Sequence, residues 1–268
     1  MKAFGEELDK RTGGRTKTTV YTGGTLGGPA ELADNLQKGV CDMAAFVTST
    51  YPGLVWSHPF FQSPMMMVDP ARRAWVAEDL INNGFYTIKG AKILMAHASE
   101  TGGLLQSRTR VTKLEDCVGR KFGGTPGSAK WIQSWGSSFV AAPPPEIYGM
   151  LEKGVTDGNL LGSGLAKAQK LGEITKYFLV GVSGGDLHPL SMNQATWDKL
   201  PVDIKVIVLE MSKEWNTKFT LEVYRQGDIS FQYFRDNKIE IYWLSDKEFE
   251  RFRKIAETFP DEAAKEAD

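Results

Sequence analysis

The chain has 268 residues, 41% of them hydrophobic and 24% charged, which suits one large or two medium soluble domains. A formal net charge of −1, with no run of five or six like charges, argues against nucleic acid as the main partner. Two cysteines, Cys41 and Cys117, make neither a disulfide framework nor a metal cluster, and the longest apolar runs fall short of the roughly 18 residues of a membrane span.

In chain order, Phe4 to Leu8 reads as an amphipathic helix that stops at Thr12-Gly-Gly. A domain seldom opens on a helix with nothing before it, so the chain is read as lacking its true N-terminus. Taken literally, the absence of a leader would make the protein cytoplasmic. Thr16-Lys-Thr-Thr-Val-Tyr21 predicts a strand, and the glycine-rich loop 22–28 leads to Pro29 at the start of a helix carrying Leu32 and Leu36 on one face. Gly39 ends that helix, and 40–47 predicts a buried strand.

The same device returns later in the chain. Glu31, Leu36, Lys38, Gly39, Val40 and Asp42 recur at identical spacing as Glu146, Leu151, Lys153, Gly154, Val155 and Asp157. Helix, glycine stop and strand is common punctuation that convergence can produce. The alternative is two α/β halves of like construction, with a ligand in the cleft between them.

Between the copies, 91–97 predicts a strand and 111–118 a polar crossing segment. The stretch GRKFGGTPG, Gly119 to Gly127, reads as a strand running into a glycine turn and then a helix over 128–135, a junction whose free backbone N–H groups face a ligand in open α/β proteins. A strand at 138–142 follows, with a stop at Pro143-Pro-Pro145. Pro201 opens a helical stretch from Asp203 to about Asp236, interrupted at Gly227, that would span roughly 50 Å at about 1.5 Å per residue. Ile239 to Trp243 predicts a strand, and Ser245-Asp-Lys-Glu248 is a capping box.

Together, FGEEL with KRTGG near the start, LGG at Leu26, KGVCDMA, PFF at Pro59, EIYGMLEKGVTDG, LGEITKY at Leu171 and WDKLPVDIK at Trp197 resemble the substrate-binding subunits of tripartite ATP-independent periplasmic (TRAP) transporters, the DctP-like family. The resemblance covers nearly the whole chain. It implies an α/β, two-lobed periplasmic-binding-protein fold, class II-like, with two α/β domains joined by hinge strands and a long helix spanning both. The lobes would be 1–98 plus about 186–212, and 99–185 plus about 213–243, with 244–268 as a C-terminal helix packing across them. The family's first strand and signal peptide would precede Met1, which implies a periplasmic home.

By the same resemblance the protein is no enzyme and uses no cofactor or metal. As a monomer it would deliver a small organic solute to a sodium-coupled pair of small and large integral membrane subunits. A sensor subunit presenting solute to a signalling receptor is the alternative, and an enzyme on the same scaffold a third; no motif offers a nucleophile–base pair.

In carboxylate-binding members, an arginine that clamps the substrate follows the strand matching Lys121-Phe122; here Gly123 stands there. A second arginine would fall near Gly103, and an asparagine near Ser183-Gly184. A roomier, less charged cleft is therefore expected around Phe122, Gly123 and Gly124, suited to an organic acid or a bulkier, partly aromatic solute. Lys130 is the best substitute cation, ahead of Arg120 and Lys121, while Arg108 and Arg110 read as solvated. Tyr21, Trp56, Phe60, Phe61 and Trp131 could flank a ligand or equally fill a core; Trp135, Phe139 and Trp215 read as core. The Met65-Met66-Met67 run could line an apolar wall or simply pack. Thr25, Thr48, Ser49, Asn159, Ser163 and Ser183 are the hydrogen-bond candidates at strand ends. His58, His97 and His188 are too dispersed for a metal site, and only His188 reads as a pocket residue.

Overall fold

The computed structural model describes residues 1–51, 53–55, 57–62, 68–106, 109–182, 184–257 and 259. Trp56, Met65, Met66, Met67, Arg108 and Ser183 lie outside them.

Helix α1 (Lys2–Arg11) buries Phe4 and Leu8 and ends in two left-handed glycines, Gly13 and Gly14. The strand expected over 16–21 is absent: these residues are irregular and largely exposed. β-branched composition supplies only half of what a strand needs; the other half is a neighbouring ladder for its N–H and C=O groups. No described strand lies alongside, and Asp9 takes the backbone N–H of Thr18 at 2.7 Å and the hydroxyls of Thr16 and Thr18 at 2.9 Å.

Next come α2 (Leu32–Gln37), β1 (Met43–Ala45), α3 (His58–Gln62), α4 (Pro70–Asn82) and β2 (Ala91–Ala98). Asp69 caps α4 by accepting from Arg72 N, and Pro70 takes the first turn, where a missing N–H does no harm. The second half begins with β3 (Gly102–Gln106), β4 (Lys121–Gly124), α5 (Ala129–Ser134), β5 (Ser138–Ala141), α6 (Ile147–Glu152), β6 (Gly158–Gly162), α7 (Ser163–Ala168) and β7 (Tyr177–Val180). The chain then returns through β8 (Leu187–Asn193), α8 (Gln194–Lys199) and α9 (Val202–Asp236), and finishes with β9 (Glu240–Tyr242) and α10 (Asp246–Ala256). Ser245 caps α10 as its capping box predicts.

Among the described residues the strands form two sheets. The first has the order β1-β8-β2, antiparallel throughout; the second runs β5-β4-β6-β3-β7-β9. Within the second, β4 pairs in parallel with both β5 and β6. Two short crossings join the sheets, residues 99–101 and the link from β7 to β8, of which 181–182 and 184–186 are described, and each lobe has helices on both faces of its sheet.

The internal repeat is a structural one. α2 and α6 occupy the same offsets, and both end in a left-handed glycine, Gly39 at φ +75° and Gly154 at φ +70°. The following valines close matching turns, Val40 N to Asn35 O at 2.9 Å and Val155 N to Met150 O at 2.8 Å. Leu36 and Leu151 are the buried anchors. β1 and β6 then begin one residue after Asp42 and Asp157.

Helix α9 runs unbroken through Gly227 for 35 residues. Ile204, Val208 and Met211 pack with Leu94, Met95, Leu190 and Met192 of the first sheet, while Phe234 packs at a tilt against Phe178 in the core of the second, ring centres 4.8 Å apart. One rigid rod is therefore built into both cores. α10, expected across both lobes, sets Phe249 and Phe252 among Trp131 and Trp135 in the second.

Left-handed backbone costs a side chain about 1–2 kcal/mol. Gly39→Ala and Gly154→Ala are each expected to lower stability by that much in urea unfolding, and the double variant by about the sum, because the two turns lie in different lobes.

Candidate functional site

The turn that follows β1, Thr48–Thr50, and helix α3 come up against the turn that follows β4, Pro126–Ser128. This is the place where the lobes meet at strand ends, with the crossings behind, and it is where GRKFGGTPG was expected to face a ligand.

Gly123 and Gly124 do not open space there. A Cβ on Gly124 would overlap Ser128 Oγ, and one on Gly123 would overlap the Asn159 amide and lie 2.9 Å from Ala142 Cβ. The expectation of a roomier cleft is corrected accordingly: Asn159, Ala142 and Ser128 occupy the space beside the two glycines.

Of the expected site residues, Thr48 and Ser49 stand at this meeting place, Gly123 and Gly124 lead into its facing turn with the Asn159 amide packed against Gly123, and Ser163 is buried at the start of α7. Thr48 is buried, donating to Leu187 O at 3.0 Å and sharing a 3.0 Å bond with Tyr86 Oη. Phe60 is half-buried on α3. Phe61, Phe122 and Trp131 are core residues instead: Phe61 packs edge-on against Tyr86, Phe122 lies in the second lobe's core, and Trp131 packs on Phe259. Lys130 is exposed on α5. Tyr21 is 56% exposed in the segment that lacks a partner strand, and Thr25 spends its hydroxyl locally on Thr22 O at 2.7 Å. His188 is drawn into the hinge, edge-on to His97 across the β2–β8 pair, rather than into the cleft.

Arg73, Asp186 and Glu100 at the hinge were missed, and His58 on α3 was set aside. Asp186, in the second crossing, accepts from Ser49 N at 3.3 Å, Leu187 N at 3.0 Å and the Ser49 hydroxyl, with His58 Nε2 3.1 Å away. Arg73 reaches from α4 to the first crossing, donating to Ser99 O at 2.7 Å, Ser99 Oγ at 3.3 Å and Glu100 O at 3.4 Å. The two crossings are themselves joined, Ser99 N to Asp186 O and Asp186 N to Ser99 Oγ, both 2.9 Å. Any Cβ at Gly185 would strike the Arg73 guanidinium, so that glycine is required by close approach.

Comparison with known proteins agrees with this architecture. Residues 1–266 match the sequence profile of the bacterial extracellular solute-binding protein family 7, DctP. This chain belongs to that family. A solute-binding protein of Albidiferax ferrireducens is 25% identical over 96% of this chain and 78% of its own length. The C4-dicarboxylate-binding periplasmic protein DctP of Rhodobacter capsulatus is also 25% identical, over 75% of this chain but only 62% of its own length. The fold is shared with a marine metagenome TRAP solute-binding protein specific for aromatic acids, solved with 3-hydroxybenzoate (TM-score 0.86, 22% identity, 99% of this chain and 86% of that one). It is shared too with a Sulfitobacter TRAP protein holding β-D-galacturonate (TM-score 0.87, 20% identity, 99% and 91%).

In this family 7 chain the hinge concentrates buried charge. Burial lowers the Arg73 pKa to about 10, against the pull of Asp186, Asp69 and Glu100, and leaves it a cation at neutral pH. Burial raises the Asp186 pKa, but His58, His188 and Ser49 outweigh it and hold the carboxyl below its ordinary value. His97 is pushed down to about 3 by burial and by His188, and His188 is lowered chiefly by burial.

A histidine depressed in the folded state favours folding above its unfolded pKa of about 6.5 and loses that contribution as pH falls. For His97, with a folded value near 3, the loss at pH 5 is about 2 kcal/mol relative to pH 8. The family 7 protein should therefore melt lower at pH 5 than at pH 8. His97→Phe, which keeps the stack on Phe219, should flatten that slope; an unchanged slope would remove His97 as its source.

Proposed function

We propose that this chain is an extracytoplasmic receptor that closes its lobes on a small organic solute and delivers it to a sodium-coupled TRAP pair of small and large integral membrane subunits. It works in the periplasm as a monomer and does no covalent chemistry. No described helix is long and apolar enough to cross a membrane.

The observation that carries this reading is the approach of Thr48–Thr50 and α3 to Pro126–Ser128 across two sheets joined only by short crossings and one long helix. A cleft of that construction can shut around a ligand by a hinge motion. The hydrogen bonding supports binding over catalysis. Ser49 donates its hydroxyl hydrogen bond to one oxygen of the Asp186 carboxylate, and His58 Nε2 lies 3.1 Å from the other, so the serine hydroxyl is directed to a carboxylate acceptor. For the solute, an organic acid or a bulkier, partly aromatic relative fits the ligands of the similar structures, without the arginine clamp at Gly123.

Screening a metabolite library rich in aromatic and sugar acids by thermal shift tests the proposal. A ligand at a hundred times its Kd stabilises by about 2.7 kcal/mol, which in a chain of this size raises the melting temperature by roughly 5–10 °C. A broad library with no such ligand would defeat the receptor reading.

A further inference from the structure

Strand β2 ends its sheet: it pairs with β8 on one side and with no described strand on the other. Beside that outer edge, between α4 and α9, lies a cavity of about 270 Å³. Five successive residues of the strand, 92–96, line it. Side chains alternate between faces along a strand, so an unbroken run of this kind brings the main-chain edge itself to the wall. Leu94, in the middle of the run, is the extra residue of a β-bulge, since Ile93 pairs with Ser191 and Met95 with Leu190. Bulges gather where a strand re-aims its groups beside a site.

Ile81, Ile93 and Leu209 give the cavity an apolar body, and its charges are Glu78 on α4, Lys92 on β2 and Lys213 on α9. Lys92 is already engaged, its ammonium 5.9 Å from the centre of the Trp197 ring. Glu78 and Lys213 stand on the two helices that flank the cavity, and neither side chain is paired with the other or with any other described residue. On the wall that carries Lys213, Asn216 is only 8% exposed, and its Oδ1 has no hydrogen-bond partner among the described residues. A buried amide oxygen left bare forfeits its hydration for nothing, so this wall lacks a donor.

A ligand bringing one kind of charge into this space would leave one wall uncompensated: an amine would leave Lys213 without a counter-charge, and a carboxylate would leave Glu78 without one. A small zwitterion meets both, its ammonium donating to Glu78 and Asn216 Oδ1 and its carboxylate accepting from Lys213. Ligand pockets run from roughly 300 Å³ upward, so a space of this size limits the apolar part to a short side chain.

We infer that this cavity is a second small-molecule site, distinct from the interlobe cleft, for an α-amino acid with an apolar side chain of about leucine's size. None of the residues that line it belongs to the turns and helix that meet at the cleft. Its walls are the elements that hold the hinge: α4 carries Arg73, β2 runs into the first crossing, and α9 is built into both cores. An occupant touches all three.

Calorimetry on the full chain tests the assignment with L-leucine, isopentylamine, which lacks the carboxylate, and 4-methylpentanoate, which lacks the ammonium. Leucine should bind, and each analogue about tenfold more weakly or worse. Adding leucine should slow amide hydrogen exchange over 92–96 and 209–216. Glu78 is half-buried and Lys213 and Leu209 are exposed, so substitutions there spare the core. Glu78→Gln, Lys213→Gln and Leu209→Trp, the last by filling the cavity from its exposed side, should each weaken leucine about tenfold or more. Leucine failing to bind, analogues binding as tightly, protection confined to 48–50 and 126–128, or an affinity untouched by the three substitutions would overturn the assignment. Each of those results leaves the receptor reading standing, because that reading is tested by the solute of the cleft.

Discussion

A buried guanidinium holds this molecule together at its narrowest point. Arg73 leaves a helix of the first lobe and ends against the carbonyls of the first crossing, with Gly185 of the second crossing pressed against it. A charge so buried needs acceptors and an opposite charge nearby; Ser99 and Glu100 accept from its two terminal nitrogens and Asp186 supplies the charge, while Nε has no partner among the described residues. Asp186 in turn reaches forward to Ser49 and His58, at the cleft. Hinge and cleft therefore share one set of hydrogen bonds, and neither can be rearranged without disturbing the other.

The long helix adds a second constraint. Because α9 contributes Val208 and Met211 to one core and Phe234 to the other, it cannot slide on either lobe without leaving cavities. Motion between the lobes is left to bending within the rod and to the two crossings. A protein so restrained has few directions along which its lobes can move.

Much of this was legible in sequence where local chemistry decides the outcome. The helix–glycine–strand repeat, the extent of α9 and the cap of α10 all follow from short-range rules, and all are present. What was not legible depends on partners distant in the chain. Strand β3 is buried at every position and so shows no alternation, and Thr16 to Tyr21 has strand composition but no described neighbour. Arg73 sits in PARRAW, which reads as a charged helix face until the fold brings the crossings to it. Gly123 reads in sequence as open space, and only three-dimensional neighbours reveal that the Asn159 amide fills it.

The first sheet is assembled from pieces made at very different times. Its outer strands, β1 and β2, emerge early in synthesis, while β8, which lies between them, follows the whole of the second lobe. Until β8 arrives, β1 and β2 have unpaired edges and the apolar faces of the first lobe lack their central strand. Long-range pairing of this kind slows folding and prolongs the exposure of apolar faces. The lobe that is begun first is finished last.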